Sequence, residues 1–119
     1  MITLYGITNC DTIKKTRAWL DRHAVEYVFH DYRKHGLDQA LAQEFLAAIP
    51  LHDLINKRGT TWRQLPPDIQ NNCNVDTALP LLMTHPALIR RPLLRSNTAW
   101  LTGYDETRLL QLVEHQQHQ

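Results

Sequence analysis

The first thirty residues consist of two apolar runs separated by an amphipathic stretch. Residues 2–5 are mostly apolar and end at Gly6, and β-branched and aromatic side chains dominate 25–29. Runs of this kind predict short buried strands. The stretch between them has helical periodicity over 11–23, with a semi-apolar stripe of Ile13, Thr16, Leu20 and Ala24. A strand, a helix and a strand within so short a segment predict a βαβ unit with parallel strands.

The middle of the chain is helical in pattern and punctuated by proline. Asp38 is a favourable N-cap for a helix that runs to about Ala48, and Pro50 stops it. Further short helices are predicted over 51–56, from Pro66-Pro67 onward and over 76–84, with a polar loop over 57–63.

The last third returns to strand patterning. Residues 88–95 are typical of a strand, but Pro92 interrupts them, and proline is poorly tolerated in a central strand. The segment is therefore either an edge strand or contains a special turn at Pro92, such as a cis peptide. A short strand over 98–101 and a helix capped by Asp105 follow, and we expect 114–119 to fray. This order predicts an α/β fold, but periodicity alone does not separate a thioredoxin-like sheet from other small α/β folds.

Length and charge narrow the class of protein. The 119 residues fit a single domain, and 13 basic against 12 acidic residues give a net charge of +1. Such a balance lacks the field expected of a nucleic-acid-binding or membrane-surface protein. No apolar run approaches the roughly 20 residues of a membrane span, and the N-terminus lacks signal-peptide features. We therefore expect a single cytoplasmic domain over 1–119, without a membrane or nucleic-acid partner.

Cys10 is the strongest candidate for chemistry, because the pattern places it where the first strand turns into the first helix. The unpaired backbone N–H groups at a helix N-terminus stabilise an anion such as a thiolate. Lys14 follows four residues later, on the same helical face, and adds positive charge. Asn9 and Thr12 flank the thiol and are candidate hydrogen-bond donors to it, although ordinary helix capping explains them equally well. The alternative for Cys10 is an inert buried thiol.

The second cysteine is not a local partner for the first. Ile13 stands where a Cys-x-x-Cys motif would have its second thiol, and Cys73 lies far along the chain in an asparagine-rich turn. We interpret Cys73 as a bystander, with a resolving thiol as the alternative. A solitary nucleophile needs an external thiol, and glutathione fits this role through a mixed disulfide. The histidines lack the spacing of a zinc site, so no metal is expected.

Four sequence blocks, over 5–15, 31–34, 54–63 and 86–92, carry a family pattern. In this order they resemble the arsenate reductase/Spx superfamily, and most closely its YffB-like reductase group. The resemblance implies a thioredoxin-like fold with a helical insertion at about 37–86. It also implies that Cys10 is the redox thiol of a glutathione-dependent reductase, and that Pro92 is the cis-proline facing it.

The resemblance further implies arginines that bind an anion. Arg91 matches one of them, whereas Asn56 stands where a second is expected and Arg58 follows two residues later. Gly103-Tyr104 occupies the place of a third. The incomplete set favours thiol or disulfide substrates over arsenate.

The leading hypothesis is therefore a glutathione-dependent thiol reductase, an oxidoreductase with glutaredoxin as a candidate partner. In it Arg58, Arg91 and Pro92 bind glutathione or substrate. The alternatives are an arsenate reductase and an Spx-like regulator that docks on RNA polymerase.

Overall fold

The computed structural model describes residues 1–117, and their side chains through Glu114. Within this range no helix is long and apolar enough to cross a membrane. The elements follow in chain order as β1 (Ile2–Gly6), α1 (Asp11–Arg22), β2 (Tyr27–Asp31), α2 (Tyr32–His35), α3 (Gln39–Ala48), α4 (Leu51–Leu54), α5 (Thr60–Arg63), α6 (Pro67–Asn71), α7 (Val75–Thr84), a 3₁₀ turn (Pro86–Leu88), β3 (Leu93–Arg95), β4 (Trp100–Thr102) and α8 (Glu106–Gln117).

The chain divides into two compact units. The first comprises Met1–Gly36 and Arg91–Gln119 and contains the sheet, and the second comprises Leu37–Arg90 and contains α3 to α7. The strand order is β2-β1-β3-β4, with β1 and β2 parallel and the other two pairs antiparallel. The parallel pair confirms the predicted βαβ unit. The assignment of one domain with an insertion at about 37–86 stays a prediction.

One face of the sheet carries the core of the first unit. Strand residues alternate between the two faces, so Leu4 of β1, Leu94 of β3 and Leu101 of β4 point the same way. Fully burying each such side chain stabilises the fold by about 1.5–3 kcal/mol. They pack with α1 and α8 in a cluster of Ile2, Leu4, Ile13, Trp19, Leu20, Leu94, Leu101, Leu109, Leu112 and Val113.

Gly6 sets how closely α1 approaches the sheet. A Cβ atom added at Gly6 would collide with Cδ1 of Ile13 and lie 2.9 Å from its Cγ1. Any side chain at position 6 would therefore force the buried Ile13 side chain, in the first turn of α1, to shift. The glycine thus leaves room for Ile13 to pack against the end of β1.

Several boundaries differ from the sequence-based expectations. β3 lies between β1 and β4, so the edge-strand alternative for 88–95 is wrong. The Arg91–Pro92 peptide bond is cis, which confirms the other alternative. β2 begins two residues later than predicted, because the turn after α1 continues through Ala24, which has a positive φ of 54°.

Two regions expected to be irregular are helical. The end of the predicted loop over 57–63 forms the single turn α5. α8 continues through Gln117, so fraying from Glu114 is wrong for 114–117, and 118–119 lie outside the described residues. Asp105 caps α8 as predicted, with its Oδ1 accepting from the Arg108 N–H at 3.2 Å.

The second unit follows its predicted capping pattern. The Asp38 carboxylate accepts a hydrogen bond from the Leu41 N–H at 2.8 Å, which starts α3 where the sequence indicates. The N-terminus of α7 is closed more fully. Oδ1 of Asn74 accepts from two backbone N–H groups of the first turn, and the Thr77 hydroxyl accepts from the Asn74 N–H, which is a reciprocal capping box.

Candidate functional site

The site is built at the sheet edge where β1 and β2 end. Gly6 pairs with Asp31 in the parallel ladder, and Tyr5 pairs with Leu93 at the start of β3. β4 ends at the same edge, since Thr102 pairs with Leu93. We call this the Cys10 edge; it consists of residues 7–10, 31–32, 91–92 and 103–104. The topology thus brings Cys10, Arg91 and Pro92 to one edge, whereas Arg58 belongs to the second unit.

Cys10 is itself the N-cap of α1. Its backbone is extended, with φ −136° and ψ 124°, and its carbonyl accepts the first helical bond from the Lys14 N–H at 3.0 Å. Its side chain makes no capping hydrogen bond within the described range. Cys10 is half-buried and packs against the core of the first unit. The first turn of α1 therefore receives no hydrogen bond from the side chain of its own N-cap residue.

The three predicted thiolate-stabilising side chains lie around this turn. Asn9 is exposed, Thr12 is half-buried and Lys14 is exposed. The Thr12 carbonyl accepts from the Thr16 hydroxyl at 2.7 Å. Among residues 1–114, the side chains of Asn9, Thr12 and Lys14 make no hydrogen bond or ion pair. Their role toward a thiolate stays a prediction.

Asp31 is a part of the edge that sequence reasoning missed. Its side chain is 2% exposed, and its carboxylate accepts from the Thr8 hydroxyl at 3.1 Å and the Arg33 N–H at 2.8 Å. Burial alone would raise the pKa of this carboxyl. Hydrogen bonds from the Arg33 N–H, the Thr8 hydroxyl and the Lys34 N–H, with the Lys34 charge, outweigh it and lower the pKa. The sequence signal that could have pointed to Asp31 is its position as an acidic residue at the end of an aromatic strand.

Arg91 lies beside an aromatic stack on the other face of the sheet. The ring of Tyr5 stacks on that of Tyr32, with centroids 6.4 Å apart, and equally on that of Trp100. Burial raises the pKa of Tyr32 far above its usual value, with Tyr5 acting in the same direction and Arg91 opposing it. Arg91 is half-buried and makes no hydrogen bond or ion pair with the described residues. Its guanidinium is available for an anionic ligand.

Where β4 ends, Tyr104 is in contact with Lys15, a cation that helical spacing from Cys10 did not single out. The Pro92 carbonyl accepts from the Gly103 N–H at 2.9 Å, which fixes Tyr104 next in the chain. Nζ of Lys15 lies 4.5 Å from the Tyr104 ring centroid. Burial and a hydrogen bond to Glu106 raise the pKa of Tyr104, while Arg22 opposes this. The helical spacing from Cys10 singled out Lys14 as the nearby cation. Lys15 was missed because its contact, Tyr104, lies after β4, far along the chain.

The second unit holds the other two residues that the sequence singled out. Arg58 is exposed in a turn, where its N–H donates to Oδ1 of Asn56 at 3.1 Å. Cys73 is half-buried between α6 and α7, and burial raises the pKa of its thiol, against a smaller effect of Lys57. Such surroundings favour the protonated form of this thiol; that Cys73 is a bystander stays a prediction. In the described part of the chain, His, Cys, Asp and Glu form no group of three suited to a metal.

Comparisons with known proteins find relatives and similar structures that span most of the chain. An uncharacterized protein of Haemophilus influenzae is 42% identical over 106 residues, covering 89% of this chain and 93% of the relative. The global transcriptional regulator Spx of Streptococcus pneumoniae is 29% identical over 108 residues, covering 89% and 80%. The solved structure of the YFFB protein matches with a TM-score of 0.89 at 34% identity, covering 95% of this chain and 99% of that one.

These likenesses confirm the thioredoxin-like α/β fold with its helical insertion and the predicted superfamily. The model of the ArsC family matches residues 5–112, which includes every residue of the Cys10 edge. The chain is a member of the ArsC family.

Proposed function

We propose that this protein is a thiol reductase in which Cys10 is the single nucleophile and glutathione is the reductant. The observation that carries the proposal is Cys10 itself: a half-buried thiol at a helix N-terminus without a side-chain cap. Membership of the ArsC family supports redox chemistry at this position. Arg91, without an acidic partner among the described residues, supports an anionic ligand such as a glutathione carboxylate.

The chemistry follows from the absence of a neighbouring thiol. The Cys10 thiolate attacks one sulfur of a substrate disulfide, forming a mixed disulfide and releasing the other sulfur as a thiolate. Position 13, one helical turn away, is isoleucine and cannot resolve this bond. A first glutathione thiolate attacks the Cys10 sulfur of this bond, which releases the second substrate thiol and leaves a Cys10–glutathione mixed disulfide. A second glutathione thiolate attacks the glutathione sulfur of that disulfide and regenerates the Cys10 thiolate. Over the cycle, two glutathione thiols are oxidised to one disulfide while the substrate disulfide is reduced to two thiols.

Trapping the intermediate tests the proposal. The Cys73→Ser variant keeps Cys10 as its single thiol, and the Cys10→Ser variant is the matched control. After incubation with oxidised glutathione, we expect intact-mass spectrometry to show one glutathionyl group on Cys73→Ser, removable by reduced glutathione. The control should remain largely unmodified over the same time. A Cys73→Ser protein that stays free of glutathione would overturn the assignment.

Two alternatives have their own support and their own outcomes. The ArsC family match favours arsenate as substrate, and turnover of arsenate with glutathione and glutaredoxin would establish it. The incomplete arginine set predicts little turnover. The likeness to Spx favours a regulator, and the earlier resemblance implies RNA polymerase as its partner. Recovery of polymerase subunits from cell extract, without glutathione chemistry at Cys10, would favour that function.

A further inference from the structure

The turn that delivers Cys10 to α1 is tied to a buried carboxylate. Residues 7–9 leave β1 and reach Cys10 without belonging to a strand or a helix. Thr8, in the middle of this turn, is exposed, yet its hydroxyl donates to Oδ2 of Asp31 at 3.1 Å. A hydrogen bond to a buried acceptor restrains a turn more than one to a solvated side chain, because its partner cannot move away.

Asp31 is itself held firmly. It is 2% exposed, it is the last residue of β2, and it pairs in register with Gly6 at the end of β1. Oδ1 accepts the Arg33 N–H at 2.8 Å as the N-cap of α2, while Oδ2 faces Thr8. One carboxylate therefore joins the end of the sheet, the start of α2 and the turn before Cys10.

We infer that Asp31 is a positioning residue for Cys10, acting through the Thr8 hydroxyl. The inference rests on the proposed function, since it assigns the Thr8–Asp31 hydrogen bond a role in presenting the nucleophile Cys10. Gly6 and Ile13 seat the helix against the sheet, and the Thr8–Asp31 bond fixes the turn that precedes it. Catalytic rates fall steeply when a reacting group is displaced, by up to about 100-fold for 1 Å.

Alkylation of Cys10 by iodoacetamide in the Cys73→Ser background tests the inference. We expect Thr8→Val to lower the rate constant roughly 3- to 10-fold, and Thr8→Ser, which keeps the hydroxyl, to stay within about 2-fold of the parent. Thr107→Val, an exposed threonine on α8, is the matched control and should leave the rate unchanged. A urea unfolding curve that leaves Thr8→Val fully folded under the assay conditions would show that the loss of rate is not loss of fold.

A double-mutant comparison assigns the effect to Asp31. In an Asp31→Ala background, Thr8→Val should change the rate no further, because its partner is already gone. Additive effects of the two substitutions, or a Thr8→Val protein that reacts at the parent rate, would overturn the inference. If Asp31→Ala does not fold, the Thr8→Val and Thr8→Ser pair decides alone.

A second readout separates this inference from the proposed function. NMR order parameters of the Thr8, Asn9 and Cys10 amides report the rigidity of the turn whether or not the thiol reacts with glutathione. We expect lower values in Thr8→Val than in Thr8→Ser. If no glutathione adduct forms but the order parameters fall as expected, the proposed reductase function is wrong and the positioning role of Asp31 stands. If the order parameters do not change in Thr8→Val, the positioning role of Asp31 is wrong.

Discussion

Cys10 and Cys73 are both free and both half-buried, but their surroundings differ. Cys10 caps a helix of 12 residues at the end of a central strand. Cys73 lies in the connection between two helices of the second unit, where its N–H donates to the Gln70 carbonyl at 3.5 Å and burial raises its pKa. The proposal that Cys10 reacts and Cys73 does not therefore rests on position relative to backbone dipoles and not on fractional burial.

The helix N-termini beside the two cysteines show the same contrast. At α7, Oδ1 of Asn74 accepts from the N–H groups of Asp76 at 2.9 Å and Thr77 at 3.1 Å. At α1 the N-cap is Cys10, which forms no such bond. The α7 terminus is closed by its own side chain and serves stability. The α1 terminus lacks such a bond, at a cost in stability that a serine, threonine or asparagine cap would remove. Under the proposed function its N–H groups are left for another anion.

The largest expected effect is on turnover. Equal effects of substituting Cys10 and Cys73 would contradict the contrast between the two cysteines. Cys10→Ser should lower the rate of glutathione-dependent reduction of hydroxyethyl disulfide at least about 100-fold, because the nucleophile is lost. Cys73→Ser should stay within about 2-fold of the parent. The measurement is steady-state consumption of glutathione by each purified variant. A comparable loss in both would show that Cys73 resolves the intermediate.

Arg91 in the first unit and Arg58 in the second are expected to differ as the two cysteines do. Arg91→Ala should raise KM for glutathione about 10- to 150-fold, because a charged hydrogen bond contributes about 1.5–3 kcal/mol. Arg91→Lys should recover only part, since lysine lacks the planar two-donor geometry. Arg58→Ala is the comparison variant: equal effects from both would give the exposed turn of the second unit a role in binding. Initial rates over a range of glutathione concentrations check this prediction.

The elements of the fold, those that form the Cys10 edge among them, were predictable from sequence to different extents. The first strand, the first helix and the Asp38 and Asp105 caps follow from local periodicity and capping chemistry, so their signals lie within a few residues. The cis peptide at Pro92 was one of two alternatives, and strand order decided between them. Only long-range pairing reveals which segments β3 lies between.

The side chains that hold the edge together were less visible in the sequence. The Thr8–Asp31 bond joins residues 23 apart, and the Lys15–Tyr104 contact joins residues much farther apart. No periodic pattern encodes such contacts, because they depend on register between strands. The single turn α5 was missed for a different reason: four residues in a polar segment carry too little periodicity to distinguish a helix from a loop.

Stability measurements sharpen the contrast between the two helix N-termini. Asn74→Ala should lower the free energy of unfolding by about 1 kcal/mol, the typical loss for an N-cap. Cys10→Ser should instead keep or raise it, by up to about 0.5 kcal/mol, because serine supplies the missing cap while giving up some apolar contact. Urea unfolding of both variants checks the signs. A marked loss of stability in Cys10→Ser would mean that packing, rather than chemistry, retains the cysteine.

The smallest expected effect is a change in stability at acid pH. It concerns the turn before Cys10, where Thr8 bonds to the buried carboxylate of Asp31. The Thr8 hydroxyl helps to lower the pKa of Asp31. Its bond to the carboxylate therefore adds stability above the unfolded-state value of about 3.9, and that stability is lost as pH falls through the lower folded-state pKa. The difference in unfolding free energy between wild type and Thr8→Val should be steady near pH 6 and shrink below about pH 4. Thr8→Ser should follow wild type throughout. A difference that persists unchanged to pH 2 would show that Thr8 acts by packing alone, since a hydrogen bond to the carboxylate weakens on protonation whereas packing does not.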